Sequence, residues 1–197
     1  MAVRPIVITG DPVLHRTAAH VTDFDEALRR LVADMHETNE AANGVGLAAP
    51  QIGVGLRVFV WKMENNDGVP VVGHVVNPIV TTSRVPQERP DPHDDSEGCL
   101  SVPGESFPLK RAARAHVVGV DQDRATVEFD ATGWFARCMQ HEYDHLNGTL
   151  YLDRLDERYG KKARKAVKRN GWGRPGQTWL PGVDPDPFGH DAPAQVE

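Results

Sequence analysis

His141 and His145 stand four residues apart in the run HEYDH, with Glu142 between them. On a helix this spacing sets two imidazoles on one face about one turn apart, so both can converge on a single cation. Glu142 then lies beside the ion without ligating it, where its carboxylate can take a proton from an activated water. Two unrelated histidines on a surface helix are the plainer reading. The helix around them is apolar, however, and polar groups brought into such a helix need a partner, which a metal supplies.

A catalytic metal site needs a third protein ligand and an open position. In the pattern HExxHxxGxxH the third histidine would fall at Tyr151, so that arrangement fails. A glutamate ligand on a later helix has only Glu157, which is too near, and Glu197, the last residue. Cys138 shares the helix face. It lies seven residues before His145, about 10 Å along the axis, and metal bonds are only about 2.0–2.3 Å long. Cys138 therefore reads as a packing residue or pocket wall. Cys99, in EGCLSVPG (97–104), can approach the helix side-on. Cys99, His141 and His145 make the expected three-ligand set. One thiolate and two imidazoles suit zinc, and equally iron(II), cobalt or nickel.

These side chains need elements to hold them. Asp23 with Glu26 forms a capping pattern, and Phe24, Leu28, Leu31 and Met35 then recur on one face, predicting a helix to about Ala42. GVGLAAPQIG (44–53) is too rich in Gly and Ala for an ordinary strand. Strands are expected at 57–61 and 71–80 around an Asn65–Gly68 turn, and at 115–120 and 126–129 as a hairpin. A buried helix should run from near Asp130 to Asn147–Gly148, and another over 154–169. Strands followed by a central helix give an α+β fold with antiparallel sheets around the HExxH helix.

The whole chain has 197 residues, 40% hydrophobic and 25% charged, which fits one domain with a sizeable core. No apolar run is long enough to span a membrane, and residues 1–9 do not read as a signal peptide. A net charge of −6 argues against electrostatically driven nucleic-acid binding. Two cysteines allow at most one disulfide, so a reduced, cytoplasmic setting is expected. Residues 1–170 read as a single catalytic domain and 171–197 as a Pro/Trp-containing extension lying on its surface, fraying past His190. The basic stretch Lys161–Arg169 is either a solvated helix face or a ribosome contact.

GVGLAAPQ (44–51), EGCLS (97–101) and HEYDH (141–145) resemble the three motifs of bacterial peptide deformylase, in the same order. The resemblance covers residues 3 to 170, and the tail GWGRPGQTWLPGVDPDPFGH resembles actinobacterial members. It implies removal of the N-formyl group from nascent chains that begin with formyl-methionine, with release of formate. It also implies Fe2+ as the cofactor, one ion per chain, with Zn2+, Ni2+ or Co2+ as substitutes, in a monomer. The Gln51 amide and the Leu100 backbone N–H match the family's oxyanion donors, and Glu142 its acid–base. Gly46 and Gly98, with Gly44, would let an extended peptide approach the backbone. Val45, Trp134 and Cys138 stand at positions suited to the methionine pocket. Glu97 and Asp144 can orient ligands or pair with Arg111 or Arg114. Some members carry an arginine seven residues after the cysteine, where this chain has Ser106. Two rivals remain: an HExxH endopeptidase, and a structural metal site closed by His74 or His116.

Overall fold

Alternation decides which way each strand of the central sheet faces. Along Val58–Glu64, Val58 and Val60 face one side while Phe59 and Trp61 face the other, and all four are buried. A strand of period two that buries both faces must be covered on both. Here helices do the covering.

The fold is a computed structural model, described for residues 2–65 and 68–189. It runs β1 (Ile6–Val7), α1 (Glu26–Ala41), β2 (Gly46–Ala48), β3 (Val58–Glu64), β4 (Pro70–Thr82), β5 (Ser96–Gly98), β6 (Ser106–Pro108), β7 (Arg114–Val120), β8 (Thr126–Thr132), α2 (Gly133–Leu146), α3 (Glu157–Arg169) and β9 (Thr178–Trp179). Strands β2, β3, β4, β7 and β8 form one antiparallel sheet in that order, while β1 pairs with β9 and β5 with β6. α1 lays Leu28, Val32 and Met35 on one face of the sheet, with Leu47, Val58 and Val60. α2 lays Phe135, Ala136, Met139 and Leu146 on the other, against Phe59, Trp61, Val75 and Val117. A third cluster packs Cys99, Val102 and Phe107 against Tyr159, Ala163 and Ala166 of α3. The α+β reading holds.

Several boundaries move, each for a local reason. Asp25, not Asp23, caps α1: its carboxylate accepts from the N–H groups of Ala27 (2.9 Å) and Leu28 (3.1 Å). Val32 joins Leu28 and Met35 on the buried stripe, leaving Phe24 and Leu31 half-buried at its edge. The Gly/Ala-rich stretch does form a strand, β2, followed by a 3-10 turn at Ala49–Ile52. Its small side chains let α2 pack close behind it. Asp130 belongs to β8, paired with His116, so α2 begins only at Gly133. α3 begins at Glu157, after a separate 3-10 turn at Tyr151–Arg154, because Asp156 caps it through the Tyr159 N–H at 2.9 Å. The tail does more than lie on the surface: β9 completes a sheet with β1, and Trp179 enters the core. The two middle residues of the expected Asn65–Gly68 turn, 66 and 67, and the fraying past His190 lie outside the described residues.

Candidate metal centre and active site

α2 carries His141 and His145 on the face turned toward the loop after β5, and that loop brings Cys99 to them. Cys99 Sγ lies 3.3 Å from His145 Nε2, which lies 3.2 Å from His141 Nε2. All three ligand atoms fall within 4.8 Å of one another, and all three residues are buried. Among the described residues this is the one group of three such side chains with metal-site spacing. Bonds of about 2.0–2.3 Å in tetrahedral geometry space neighbouring ligand atoms by roughly 3.3–3.8 Å, so the cluster has the size of a single ion. The donor set fits a metal chemically as well.

The imidazoles are prepared for that role. His141 Nδ1 lies 2.7 Å from Glu97 Oε1, and Arg111 and Arg137 both donate to Glu97. Burial pushes the Glu97 carboxyl up, but the hydrogen bonds and charges of His141 and Arg111 outweigh it and hold it well below the usual carboxylate range. An ionised carboxylate can only accept, so Nδ1 carries the proton and Nε2 faces Cys99 and His145. Burial holds the His145 imidazole well below its ordinary value, keeping it neutral. Arg111 also donates to Asp144 at 2.6 Å, and Arg154 clamps the same carboxylate. Removing Glu97, Arg111 or Asp144, whose side chains are buried, costs about 3–5 kcal/mol, because a charge is left uncompensated. Asp144 thus pairs with Arg111 and Arg154, and Arg114 takes no part in this network.

Glu142 is buried beside the cluster, and burial pushes its carboxyl up to about 7, with Glu97 and Asp144 adding repulsion against the attraction of His141. Among the described residues its Oε2 has no hydrogen-bond partner, nor has His145 Nδ1. A buried acceptor without a donor is costly in an ordinary core and useful in a reaction centre. A Cβ on Gly46 would meet Glu142 Oε1 at 2.5 Å and Cys138 Sγ at 2.9 Å. Gly46 is therefore needed to admit the glutamate, a reason the motif alone did not reveal. Gln51 Oε1 accepts from the Ala48 N–H at 2.8 Å, which turns its Nε2 toward Cys99 Sγ (3.5 Å) and Ser101 Oγ (3.4 Å).

The centre opens into a cavity of about 550 Å³. Of the residues expected to bind metal, react or touch substrate, all but the buried His145 line it: Val45, Gly46, Gln51, Gly98, Cys99, Leu100, Trp134, Cys138, His141 and Glu142. Val45 and Trp134 are more than half exposed at its mouth, at 57% and 56%. Burial, then the Glu142 charge, pushes the Cys138 thiol well up, so it stays an uncharged wall. His74 lies near His36 and Gln122, and His116 reaches Asp130 and Glu128, so neither closes the site. Sequence reading missed Arg137, Met63, Glu64 and Phe188 as lining residues. Only Arg137 had a signal, a charge one turn before His141 on an apolar helix.

A Cys-His-His cluster with a buried glutamate at the floor of a cavity marks a metallohydrolase. The sequence profile of the polypeptide deformylase family matches residues 3–161. Peptide deformylase 2 of Corynebacterium efficiens is 52% identical over 192 residues, covering 97% of this chain and all of its relative. Peptide deformylase of Mycolicibacterium paratuberculosis is 54% identical over 197 residues, covering 96% of this chain and all of that one. Among solved structures, the Legionella pneumophila peptide deformylase superposes with a TM-score of 0.72 at 36% identity, covering 86% and 96% of the two chains. The Ehrlichia chaffeensis enzyme in complex with actinonin gives 0.73 at 36% identity, covering 86% and 98%. This chain belongs to the polypeptide deformylase family. It is a metal-dependent hydrolase that removes the N-formyl group from nascent peptides. Among the described residues no helix is long and apolar enough to cross a membrane.

Proposed function

We propose that Cys99, His141 and His145 hold one ion, that Glu142 moves the proton, and that the cavity takes a formyl-methionine terminus. When bound, the ion supplies Lewis-acid chemistry, polarising the formyl oxygen and lowering the pKa of water toward neutrality. Glu142 accepts the proton of the attacking water and returns it to the departing amine. Its Oε2, without a hydrogen-bond partner among the described residues and beside the cluster, supports that role. Charge developing on the formyl oxygen needs donors aimed at it, and Gln51 Nε2 with the Leu100 backbone N–H supplies them; one such donor is typically worth about 10²–10³ in rate. The orientation of Gln51 through Ala48 supports this, since its donor end faces the cluster before substrate arrives. Val45, Trp134 and Cys138 form the apolar wall for methionine, while Gly46 and Gly98 leave room for an extended peptide. Gly98 has no neighbour closer than 3.8 Å to an added Cβ, which favours backbone access there.

The ion is iron(II), on the family likeness, and a thiolate–iron pair is open to oxidation. The chain acts as a cytoplasmic monomer with residues 1–170 as its catalytic unit and 171–197 as an extension. The observation that carries the mechanism is the convergence of the three ligand atoms beside Glu142 at the cavity floor. Formate release from formyl-Met-Ala by anaerobically purified protein tests it. Glu142→Ala should keep its metal and lose activity by about 10²–10⁴-fold. Activity retained in that variant refutes the mechanism.

A further inference from the structure

One wall of the cavity comes from a part of the chain that the family profile does not reach. The profile ends at residue 161, yet Phe188 lines the cavity together with Leu100. The route by which the tail arrives there is specified by contacts. β9 pairs with β1, matching Trp179 to Ile6 and Thr178 to Val7. The buried Trp179 indole donates its Nε1–H to the Leu100 carbonyl at 2.9 Å, next to Cys99 in sequence. Beyond it the chain turns back, with Asp184 accepting from the Leu180 N–H at 2.6 Å. A second turn follows, in which the Asp186 carboxylate accepts from the Phe188 N–H at 2.9 Å. The Phe188 ring then lies 6.2 Å from that of Trp179, tilted by 60°. The Pro187 carbonyl abuts Gly104, where a Cβ would come within 2.7 Å of it at a φ of +71°.

We infer that the C-terminal extension completes the substrate site, with Phe188 a specificity-determining wall for the residues that follow the formylated methionine. The inference rests on reading the cavity as the formyl-methionine site. The side nearest α2 already has its apolar residues in Trp134 and Cys138. Phe188 joins instead the side built by Leu100, whose Cδ1 an added Cβ on Gly44 would meet at 2.9 Å. An aromatic ring there offers apolar contact to side chains beyond the methionine. Trp179 is a positioning residue, holding both Phe188 and the Leu100 backbone in place.

The test compares Phe188→Ala and Phe188→Leu with the unaltered full chain on two substrates, formyl-Met-Leu-Phe and formyl-methionine amide. Loss of an apolar contact in a pocket typically changes kcat/KM by about ten-fold or more. Phe188→Ala should raise KM for the tripeptide by about that factor, leave kcat within two-fold, and leave the amide unaffected. Phe188→Leu should restore much of the loss. Equal losses on both substrates, or no loss on either, would overturn the inference. Absence of formate from either substrate with unaltered, metal-loaded protein overturns the reading of the site itself, and the inference with it.

Discussion

Gly46→Ala puts the position of Glu142 under direct test. The added methyl would begin 2.5 Å from Glu142 Oε1 and 2.9 Å from Cys138 Sγ. Gly46 lies in β2, and its φ is outside the left-handed region, so alanine brings no backbone strain. The clash is with the far end of a side chain, which can give way. Ordinary contact begins at about 3.4 Å, so the carboxylate must retreat by about 1 Å. A misplacement of that size costs about 10²-fold in rate, or about 2.7 kcal/mol on the barrier. The three atoms nearest the new methyl belong to Glu142 and Cys138, none of them to a proposed metal ligand, so metal content should stay at one ion per chain. The assay is kcat/KM for formate release from formyl-Met-Ala, with metal counted on the same anaerobic sample. Glu142→Ala sets the lower limit, since displacement cannot cost more than removal. Activity close to that of the unaltered protein would refute the reasoning, as would a loss that follows the metal.

Three further outcomes follow from the same geometry. Cys99→Ser should strip or weaken the metal while Cys138→Ala leaves it bound; metal analysis of the two variants with reversed losses would show the ligand assignment to be wrong. Glu97→Gln weakens the acceptor that fixes the His141 tautomer, so chelator competition should show metal affinity lowered by about 10–100-fold; unchanged affinity would remove Glu97 from that role. On α3, Lys161, Lys165 and Lys168 are exposed while Tyr159, Ala163 and Ala166 face inward, leaving a basic outer face. If that face docks on the ribosome, changing the three lysines to glutamate should weaken co-sedimentation in a salt-dependent way. Unaltered co-sedimentation would leave it a solvated face.

Much of the site was legible because its logic is local. The i, i+4 histidines announce themselves on any helix, and a rise of about 1.5 Å per residue was enough to exclude Cys138 as their partner. The strand at 57–61 and a buried helix around the two histidines were equally readable. Boundaries were less so. Asp23 and Asp25 are both good caps by type, and only the path of the chain shows which carboxylate reaches Ala27 and Leu28. Asp130 could begin a helix, but pairing with His116 across the hairpin keeps it in β8.

The sequence by itself picked out the Cys99, His141 and His145 cluster, the glutamate beside it, the α+β class and the family likeness, because each depends largely on residue type at short spacing. The tertiary structure decided what depends on distant segments meeting in space. Arg111 and Arg137 are 26 residues apart yet hold one carboxylate, Glu97, which orients His141. Gly46 is needed because Glu142, almost a hundred residues later, occupies the space a side chain would take. Phe188 carried no signal at all: a phenylalanine in a Pro-rich tail becomes a cavity wall only because β9 pairs with β1 and turns the chain back. Short-range spacing writes chemistry into the sequence, whereas long-range packing decides which groups are buried, oriented and left room to act.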